Sequence, residues 1–311
     1  MTPNASLLGA IAWMIGALTS FAAMTVSIRE LTGEMHAFQM LFIRSAIGVL
    51  ILLPIITGRW CGNKSAREGW RQIRRRYLPG HLLRNVLHFT GQVLWIFGIA
   101  LLPLATVSAI EFTSPLWAGL LAVLFLGERL NPGRLAAFGL GFVGVLVIVR
   151  PGFIEVSEGI LIMLVCAFFF GATGAVTKWL TRGETALAII FYMVLMQMVF
   201  GAVASAFVWQ PLAAEQAPWL ALMAVTGLSA HFCLTSALAG ADATFIMPLD
   251  FLRLPLVAVV GFLLYAEPFE LAILLGALVI FSGNYISLWY EARRGRSPAP
   301  PTAPPPTDAI A

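Results

Sequence analysis

The sequence is poor in charged residues. Asp, Glu, Lys and Arg make up 11% of the 311 residues, whereas hydrophobic residues make up 59% and the mean hydropathy is +0.89. A soluble domain carries about 25% charged residues, which cover its surface. This composition therefore excludes a soluble globular domain and predicts an integral membrane protein.

Cysteines are few, and the motifs that mark bound metals and nucleotides are scarce. Cys61, Cys166 and Cys233 have no paired spacing, which argues against a disulfide framework and against a zinc site. No GxxxxGK[ST] loop occurs, so ATP is not predicted as the energy source. One GxGxxG pattern, Gly139–Gly144, lies inside an apolar helical run with no strand before it. We interpret its glycines as close helix contacts and predict no cofactor.

Long apolar runs take the place of these features. A transmembrane helix needs roughly 20 mostly apolar residues. Ten such runs are predicted, at residues 7–28, 38–56, 82–102, 105–126, 135–149, 160–180, 187–208, 219–238, 243–265 and 271–290. The predicted fold class is an all-α integral membrane protein with ten transmembrane helices.

Basic residues are distributed unevenly between the loops. If the amino terminus is inside, 15 of the 19 Lys and Arg residues fall in cytoplasmic loops and helix ends, seven of them in the loop 59–76, and only Arg29 and Arg150 fall outside. By the positive-inside rule this predicts an inner-membrane protein with both termini in the cytoplasm. The net charge of +4 then indicates contact with membrane lipids and not with nucleic acid. The proline-rich tail, residues 291–311, is expected to be disordered. For the oligomeric state, the sequence leaves a monomer and a homodimer as alternatives.

The chain repeats one pattern at an offset of 139 positions. This offset relates Glu111 to Asp250, both inside apolar runs, and Glu128 to Glu267, both at polar breaks. Each copy holds five predicted helices, and because five is odd the second copy enters the membrane inverted. Inverted repeats are typical of secondary transporters, whose substrate site lies near the midplane between the halves. The predicted repeats are residues 7–149 and 157–290.

The segments SPLWAGLLAVLFLGERL, at 114–130, and LPLVAVVGFLLYAEPF, at 254–269, carry a resemblance to a known family. Each places an intramembrane proline before an apolar stretch that ends in Gly-Glu or Ala-Glu. Over nearly the whole chain the sequence resembles the EamA family of the drug/metabolite transporter superfamily. This resemblance implies ten helices, alternating access and transport of small metabolites, often by efflux. It also implies that amino acids, vitamins and nucleotide-like solutes are possible classes of cargo, some of them imported.

Four charged side chains lie inside predicted spans and away from their ends: Arg44, Glu111, Asp250 and Arg253. Arg84 and Lys178 lie at span ends and are counted with the cytoplasmic segments. A charge at this depth costs at least ~2.5 kcal/mol, so it is expected to face a partner or water. Arg44 and Glu111 lie at equal depth below the same membrane surface, which predicts an ion pair between them. Asp250 and Arg253 are three residues apart and are predicted to share one helix face.

Two interpretations of these charges remain open. Glu111 and Asp250 are candidates for substrate binding or proton coupling, and the alternative is a buried ion pair that only fixes helix packing. Arg44 and Arg253 have the same two alternatives. Pro248 and Pro255 flank Arg253 and predict a broken helix, which in transporters lines a cavity.

Uncharged side chains complete the set of candidates. His88 and His231 lie within spans, where a histidine relays protons or anchors a neighbouring helix by a hydrogen bond. The repeat register places Gln92 opposite His231. Trp95 and Trp117 lie deep in the membrane and line an aromatic pocket or pack between helices.

The sequence thus predicts a secondary transporter that moves a small metabolite across the inner membrane by alternating access. Export is the first expectation, proton coupling is one option, and import of a vitamin-like or nucleoside-like solute is the alternative. An integral-membrane enzyme that modifies lipids is the competitor from another class. The scattered histidines and the lack of HxxxH or DxxD spacing argue against such an enzyme.

Overall fold

The computed structural model describes residues 3–56, 73, 77–126, 131–150, 157–181, 183–240, 246 and 249–295. Several predictions concern residues outside these ranges. They are the basic loop with Cys61, the carboxylate Glu128, the helix breaker Pro248 and the tail from residue 296 onward. The tail prediction needs a correction at its start, because the last helix continues to Gly295.

All regular structure in the described residues is helical. The helices are α1 (Pro3–Leu31), α2 (Ala37–Ile56), α3 (Leu78–Leu101), α4 (Leu104–Glu111), α5 (Ser114–Leu126), α6 (Pro132–Val149), α7 (Glu158–Leu180), α8 (Ala186–Ser205), a 3₁₀ turn (Ala214–Gln216), α9 (Ala217–Gly240), α10 (Arg253–Tyr265) and α11 (Leu271–Gly295). Within the described ranges, eight segments are long and apolar enough to cross a membrane. Large apolar side chains such as Phe125 and Leu263 are exposed on the outer surface, which fits a protein surrounded by lipid.

Two of the ten predicted spans are not among these eight. Helix α3 is long enough, but it carries a polar stripe, His81, Arg84, His88 and Gln92, at helical spacing of three to four residues. This stripe is buried, whereas the opposite face exposes apolar residues such as Leu83. Helix α10 is apolar but has only 13 residues. The ten-span arrangement therefore stays a prediction.

Contacts between helix ends define two sides of the molecule. We call one of them the Arg29 side. It holds the end of α1, the α3–α4 turn and the end of α10. Arg29 joins these three elements, because it donates hydrogen bonds to Leu102 and to Glu267. The opposite side, which we call the Lys178 side, holds the end of α7 and the start of α6, where Gly133 contacts Tyr290 of α11. The first and last described helices both have their chain-terminal ends on the Lys178 side.

The helices pair across the two halves of the chain. The most extensive contacts join α6 to α11, α1 to α9, α3 to α7 and α2 to α8. In the repeat, the counterparts of α1, α2, α3 and α6 are α7, α8, α9 and α11. When each helix is exchanged for its counterpart, the α1–α9 pair becomes the α7–α3 pair, and the α2–α8 and α6–α11 pairs stay the same. This pairing is the one that two related halves produce.

The predicted fourth span is not one helix. Helix α4 ends at Glu111, Phe112 and Thr113 form a turn, and α5 begins at Ser114. Pro115 explains the break, because its ring has no N–H and collides with the carbonyl four residues earlier, that of Glu111. The same event recurs in the second half, where Phe251 and Leu252 form a turn and Pro255 follows in the first turn of α10. Both intramembrane carboxylates therefore stand beside a helix break.

Three carbonyl groups at the first break accept hydrogen bonds from side chains. The Thr113 hydroxyl donates to Ile110 O at 2.7 Å, and the Ser114 hydroxyl donates to Glu111 O. Asn284 of α11 donates its amide N–H to Phe112 O at 3.1 Å. Irregular backbone in a membrane persists only when such groups are satisfied, so these three side chains stabilise the break.

Two of the three glycines of the GxGxxG pattern, Gly141 and Gly144, pack helices, as predicted. A Cβ atom on Gly144 would lie 2.6 Å from the carbonyl oxygen of Gly276, so α6 and α11 are in backbone contact there. Gly141 likewise leaves no room beside Leu116 of α5. Gly139, by contrast, faces open space. Close approach through small residues is the usual basis of such helix pairs.

This difference predicts the effect of two matched substitutions. We expect Gly144→Leu to lower the free energy of unfolding by about 1–3 kcal/mol, because the larger side chain forces α6 away from α11. Gly139→Leu, in the same helix, is expected to have little effect. Thermal unfolding of the two variants in detergent checks this, and equal losses would contradict the assigned contact.

Candidate functional site

Two carboxylates and one arginine meet at the two helix breaks. Arg253, the first residue of α10, places Nη2 3.1 Å from Glu111 Oε1 and 3.7 Å from Asp250 Oδ2. The three side chains are between 9% and 15% exposed. Since Glu111 belongs to the first half and Arg253 to the second, this ion-pair centre joins the halves. We call these three residues the carboxylate centre.

The predicted ion pair between Arg44 and Glu111 is wrong. Arg44 Nη2 donates instead to Gln197 Oε1 of α8 at 3.0 Å. The prediction rested on equal depth in the membrane, which fixes the height of a side chain but not the direction in which its helix face points. The predicted pairing of Asp250 with Arg253 is confirmed.

Aromatic residues hold the carboxylate centre in place. Trp95 Nε1 donates to Glu111 Oε2 at 2.9 Å. The Arg253 guanidinium lies between two rings, with Cζ 4.8 Å from the centroid of Phe21 and 5.0 Å from that of Phe112. Such cation–π contacts favour the charged guanidinium in a site from which water is excluded.

The two carboxylates differ in how completely they are satisfied. Both oxygens of Glu111 have donors, one from Arg253 and one from Trp95. Asp250 contacts Arg253 through Oδ2 only, and its buried Oδ1 has no hydrogen-bond partner in the described part of the chain. An unsatisfied buried oxygen is unfavourable. A hydrogen-bond donor from a bound solute would therefore be stabilised there.

A cavity of about 290 Å³ extends from the Lys178 side to these breaks. Asp250 and Phe112 lie at its deep end, and Arg134 and Lys178 line it near the helix ends. Polar side chains in the cavity include Asn284 as well. Ligand sites typically combine an apolar lining with a few such polar groups.

Four rings form a continuous aromatic surface in this cavity. The ring centroids of Phe112 and Phe251 are 4.8 Å apart, those of Phe251 and Phe281 are 4.5 Å apart, and those of Phe281 and Tyr285 are 6.1 Å apart. Phe112 and Phe251 are equivalent in the repeat, since each follows the carboxylate of its half. We call these four residues the aromatic ladder.

A second polar cluster lies between α2, α3, α8 and α9. Gln197 accepts from Arg44 and places its amide nitrogen 2.8 Å from His88 Nδ1, which is 3.5 Å from Arg84 Nη1. Arg84 also donates to Asn85 Oδ1 at 3.0 Å. The structure thus links Arg44 and His88, two predicted candidates, through a glutamine.

The remaining candidates lie outside both clusters or at their edges. His231 packs edge-on against Phe21, with centroids 5.8 Å apart, so one ring separates it from Arg253. Gln92 is buried, and its Oε1 has no hydrogen-bond partner in the described ranges. Trp117 packs on Phe168 of α7 and does not line the cavity. Of the two alternatives for Trp117, a pocket or packing between helices, this contact supports packing, and the rings of the cavity come from the aromatic ladder.

Sequence reasoning missed Arg84 and the ladder. Arg84 was counted among the basic residues at the cytoplasmic ends, but it is 8% exposed in the interior of the helix bundle. Its position four residues before His88 was the available signal. The repeated acid–Phe dipeptide, at 111–112 and 250–251, was the signal for the ladder.

The Arg29 side is closed by a compact network. Arg29 Nη2 lies 2.5 Å from Glu267 Oε1, and Glu267 Oε2 accepts from the backbone N–H of Leu104 at 2.7 Å. The carboxylate thereby caps the first turn of α4. Arg150 pairs with Glu270 on the same side.

Comparisons with known proteins agree with this architecture. A profile of the EamA-like transporter family matches residues 8–150 and 157–289. A riboflavin transporter of Rhizobium johnstonii is 32% identical over 96% of this chain and 96% of its own. An S-adenosylmethionine uptake transporter of Rickettsia bellii is 25% identical over 91% and 94%, and a pseudopaline exporter of Pseudomonas aeruginosa is 27% identical over 84% and 89%.

A solved crystal structure shares the fold. It superposes with a TM-score of 0.55 at 17% identity and covers 94% of this chain and 99% of the other. The duplicated match to one family, spread over nearly the whole chain, agrees with the paired halves seen in the structure. The chain therefore belongs to the EamA-like transporter family, so it is a multi-pass membrane protein and a secondary transporter, not an enzyme.

Proposed function

We propose that this transporter carries a planar heteroaromatic metabolite of the flavin or nucleoside class into the cell. The observation that carries the proposal is the cavity that joins the aromatic ladder to the unsatisfied Oδ1 of Asp250. Stacked rings bind the faces of flat heterocycles, and a carboxylate oxygen accepts hydrogen bonds from ring or ribityl donors.

The named relatives support the same class of solute. Riboflavin and S-adenosylmethionine both contain fused nitrogen heterocycles, although their charges differ. The relative named as an exporter is matched over a smaller share of both chains. We therefore favour import, which was the alternative expectation from sequence, over export.

Alternating access between ten spans, arranged as two inverted five-helix repeats, is the mechanism that we propose. The closed Arg29 network and the cavity on the Lys178 side fit a state that is open on one side only. The distribution of Lys and Arg supports a cytoplasmic Lys178 side, and with it an inner-membrane protein that has both termini inside. The carboxylate centre lies where the two halves meet, so relative movement of the halves changes its contacts.

Solute exchange in proteoliposomes tests the proposed class. We expect purified protein to exchange internal unlabelled riboflavin or S-adenosylmethionine for the external labelled compound. Phe281→Ala is expected to weaken the apparent affinity roughly tenfold, since stacking of a base on an aromatic ring contributes ~1–3 kcal/mol. Phe142→Ala is the matched control, because Phe142 is the repeat equivalent of Phe281 but is 66% exposed on the lipid-facing surface.

Two outcomes would contradict the proposal. One is that folded protein exchanges neither solute, and the other is that Phe281→Ala behaves like Phe142→Ala. Direction is measured separately in cells. Accumulation of labelled solute from the medium supports import, whereas faster loss from preloaded cells supports the export alternative and overturns the proposed direction.

A further inference from the structure

The cluster that contains Arg44 and Arg84 has two guanidinium groups and no acidic partner. In the described ranges, no carboxylate lies within ion-pair distance of either arginine. The nearest central carboxylates, Glu111 and Asp250, are both held by Arg253.

The groups that face the two arginines are neutral amides and hydroxyls or imidazoles. Arg44 contacts Gln197, and Arg84 contacts Asn85, His88 and the hydroxyl of Thr177 at 3.3 Å. None of these groups supplies negative charge. Two positive charges in a low-dielectric interior are unfavourable unless an anion compensates them.

Space for such an anion lies directly beside Arg44. A cavity of about 20 Å³ is lined by Arg44, Ser45 and His231, together with apolar residues and two glycines. Ser45 is 2% exposed, and its hydroxyl has no hydrogen-bond partner in the described residues. This volume accommodates one water-sized group, and the orphaned hydroxyl can donate to it.

Arg44 has donors to spare for a ligand. A guanidinium carries five N–H donors, and in the described structure only Nη2 of Arg44 donates to a protein acceptor. Guanidinium groups bind carboxylates and phosphates through two parallel hydrogen bonds. The chemistry of the site is therefore that of an oxyanion or halide site.

We propose that Arg44, Ser45 and His231, with the charge of Arg84 behind them, bind one small anionic group. The group is a halide ion or one oxygen of a carboxylate or phosphate. It comes either from a free anion or from the transported solute itself, and the second source rests on the proposed transport function. The site is separate from the aromatic ladder, since the two cavities share none of their lining residues.

Anion titration of purified protein tests the site without any transport assay. The protein is exchanged into a zwitterionic buffer without added salt, and thermal unfolding is followed as chloride or formate is added. We expect a saturable rise in Tm for the wild type. In Arg44→Gln the rise is lost or needs at least about tenfold more anion, since a charge-assisted hydrogen bond is removed.

The same variant gives a second readout, its unfolding temperature before any anion is added. In the zwitterionic buffer without added anion, Arg44→Gln is expected to unfold at a higher temperature than the wild type, because an uncompensated buried charge has been removed. Arg293→Gln is the matched control, since Arg293 is exposed and stacks on Trp289 at the end of α11. It should respond to anions as the wild type does.

A milder substitution covers the case in which Arg44→Gln fails to fold. Ser45→Ala keeps both guanidinium groups and is expected to weaken anion binding about threefold, through loss of one hydrogen bond. If the titrations of Ser45→Ala and of Arg44→Gln, where folded, superpose on that of the wild type, the Tm rise is a general salt effect and the proposal is wrong.

Transport assays then identify the source of the anion. If the solute carries it, wild-type liposomes prefer riboflavin 5′-phosphate to riboflavin, and Arg44→Gln removes that preference. If the anion is free, riboflavin exchange depends on chloride in the wild type and not in Arg44→Gln. Saturable anion binding without any exchange would support this site and overturn the proposed transport function alone.

Discussion

Arg253→Gln is expected to lower the free energy of unfolding by about 3–5 kcal/mol and to abolish transport. Arg253 is the cation that contacts both Glu111 and Asp250, so its loss leaves two buried carboxylates without compensation. The contact with Glu111 also joins the two halves of the chain. Denaturant titration in detergent micelles measures the stability, and solute exchange measures the function.

Arg150→Gln is the matched control for this substitution. Arg150 also pairs with a carboxylate of the other half, Glu270, but the two side chains are 35% and 39% exposed. Ion pairs with this exposure contribute about 0–1 kcal/mol. A second check is the Glu111→Gln/Arg253→Gln double variant, which should recover part of the stability because one buried charge fewer is left. Equal losses in Arg253→Gln and Arg150→Gln would contradict the central role of Arg253.

Asp250→Asn is expected to abolish solute accumulation driven by a pH gradient while exchange at equal pH continues. Asp250 is the carboxylate with an unsatisfied oxygen, and it lines the cavity, so we propose that it carries the coupled proton. Asparagine cannot take up that proton. With one proton per solute, a gradient of one pH unit supports up to ~tenfold accumulation in the wild type, and none is expected in the variant.

Glu111→Gln separates proton coupling from structural support. Both oxygens of Glu111 already have donors, and Trp95 can still donate to the amide oxygen of glutamine. We expect this variant to be less stable but to retain gradient-driven accumulation. If Asp250→Asn accumulates solute as the wild type does, or if only Glu111→Gln loses accumulation, the assignment of the proton to Asp250 is wrong.

The sequence was informative about features that depend on local pattern. Apolar runs of sufficient length identified most of the helices, because each run must satisfy its own backbone in lipid. The offset between Glu111 and Asp250 indicated the repeat, and Pro255 indicated the broken helix beside Arg253, whereas the break at Pro115 was not predicted. The interpretation of the GxGxxG glycines as packing contacts is confirmed for Gly141 and Gly144 but not for Gly139.

Hydropathy alone gave a poor account of α3. Its stripe of polar residues lowers the apolar character of the segment, so Arg84 was assigned to a loop end. The structure buries this stripe against α7 and α8 and turns the apolar face outward. A helix of this kind is recognised by the spacing of its polar residues, not by its mean hydropathy.

The sequence by itself determined which residues carry charge inside the membrane and the depth of each residue in the membrane. It also determined which of these residues occupy equivalent positions in the two halves. Only the tertiary structure decided their partners. Glu111 pairs with Arg253 and not with Arg44, because helix packing sets the rotation of each helix and brings α4 beside α10. Height follows from position along one helix, whereas contact depends on the arrangement of several helices distant in sequence, which no local pattern specifies.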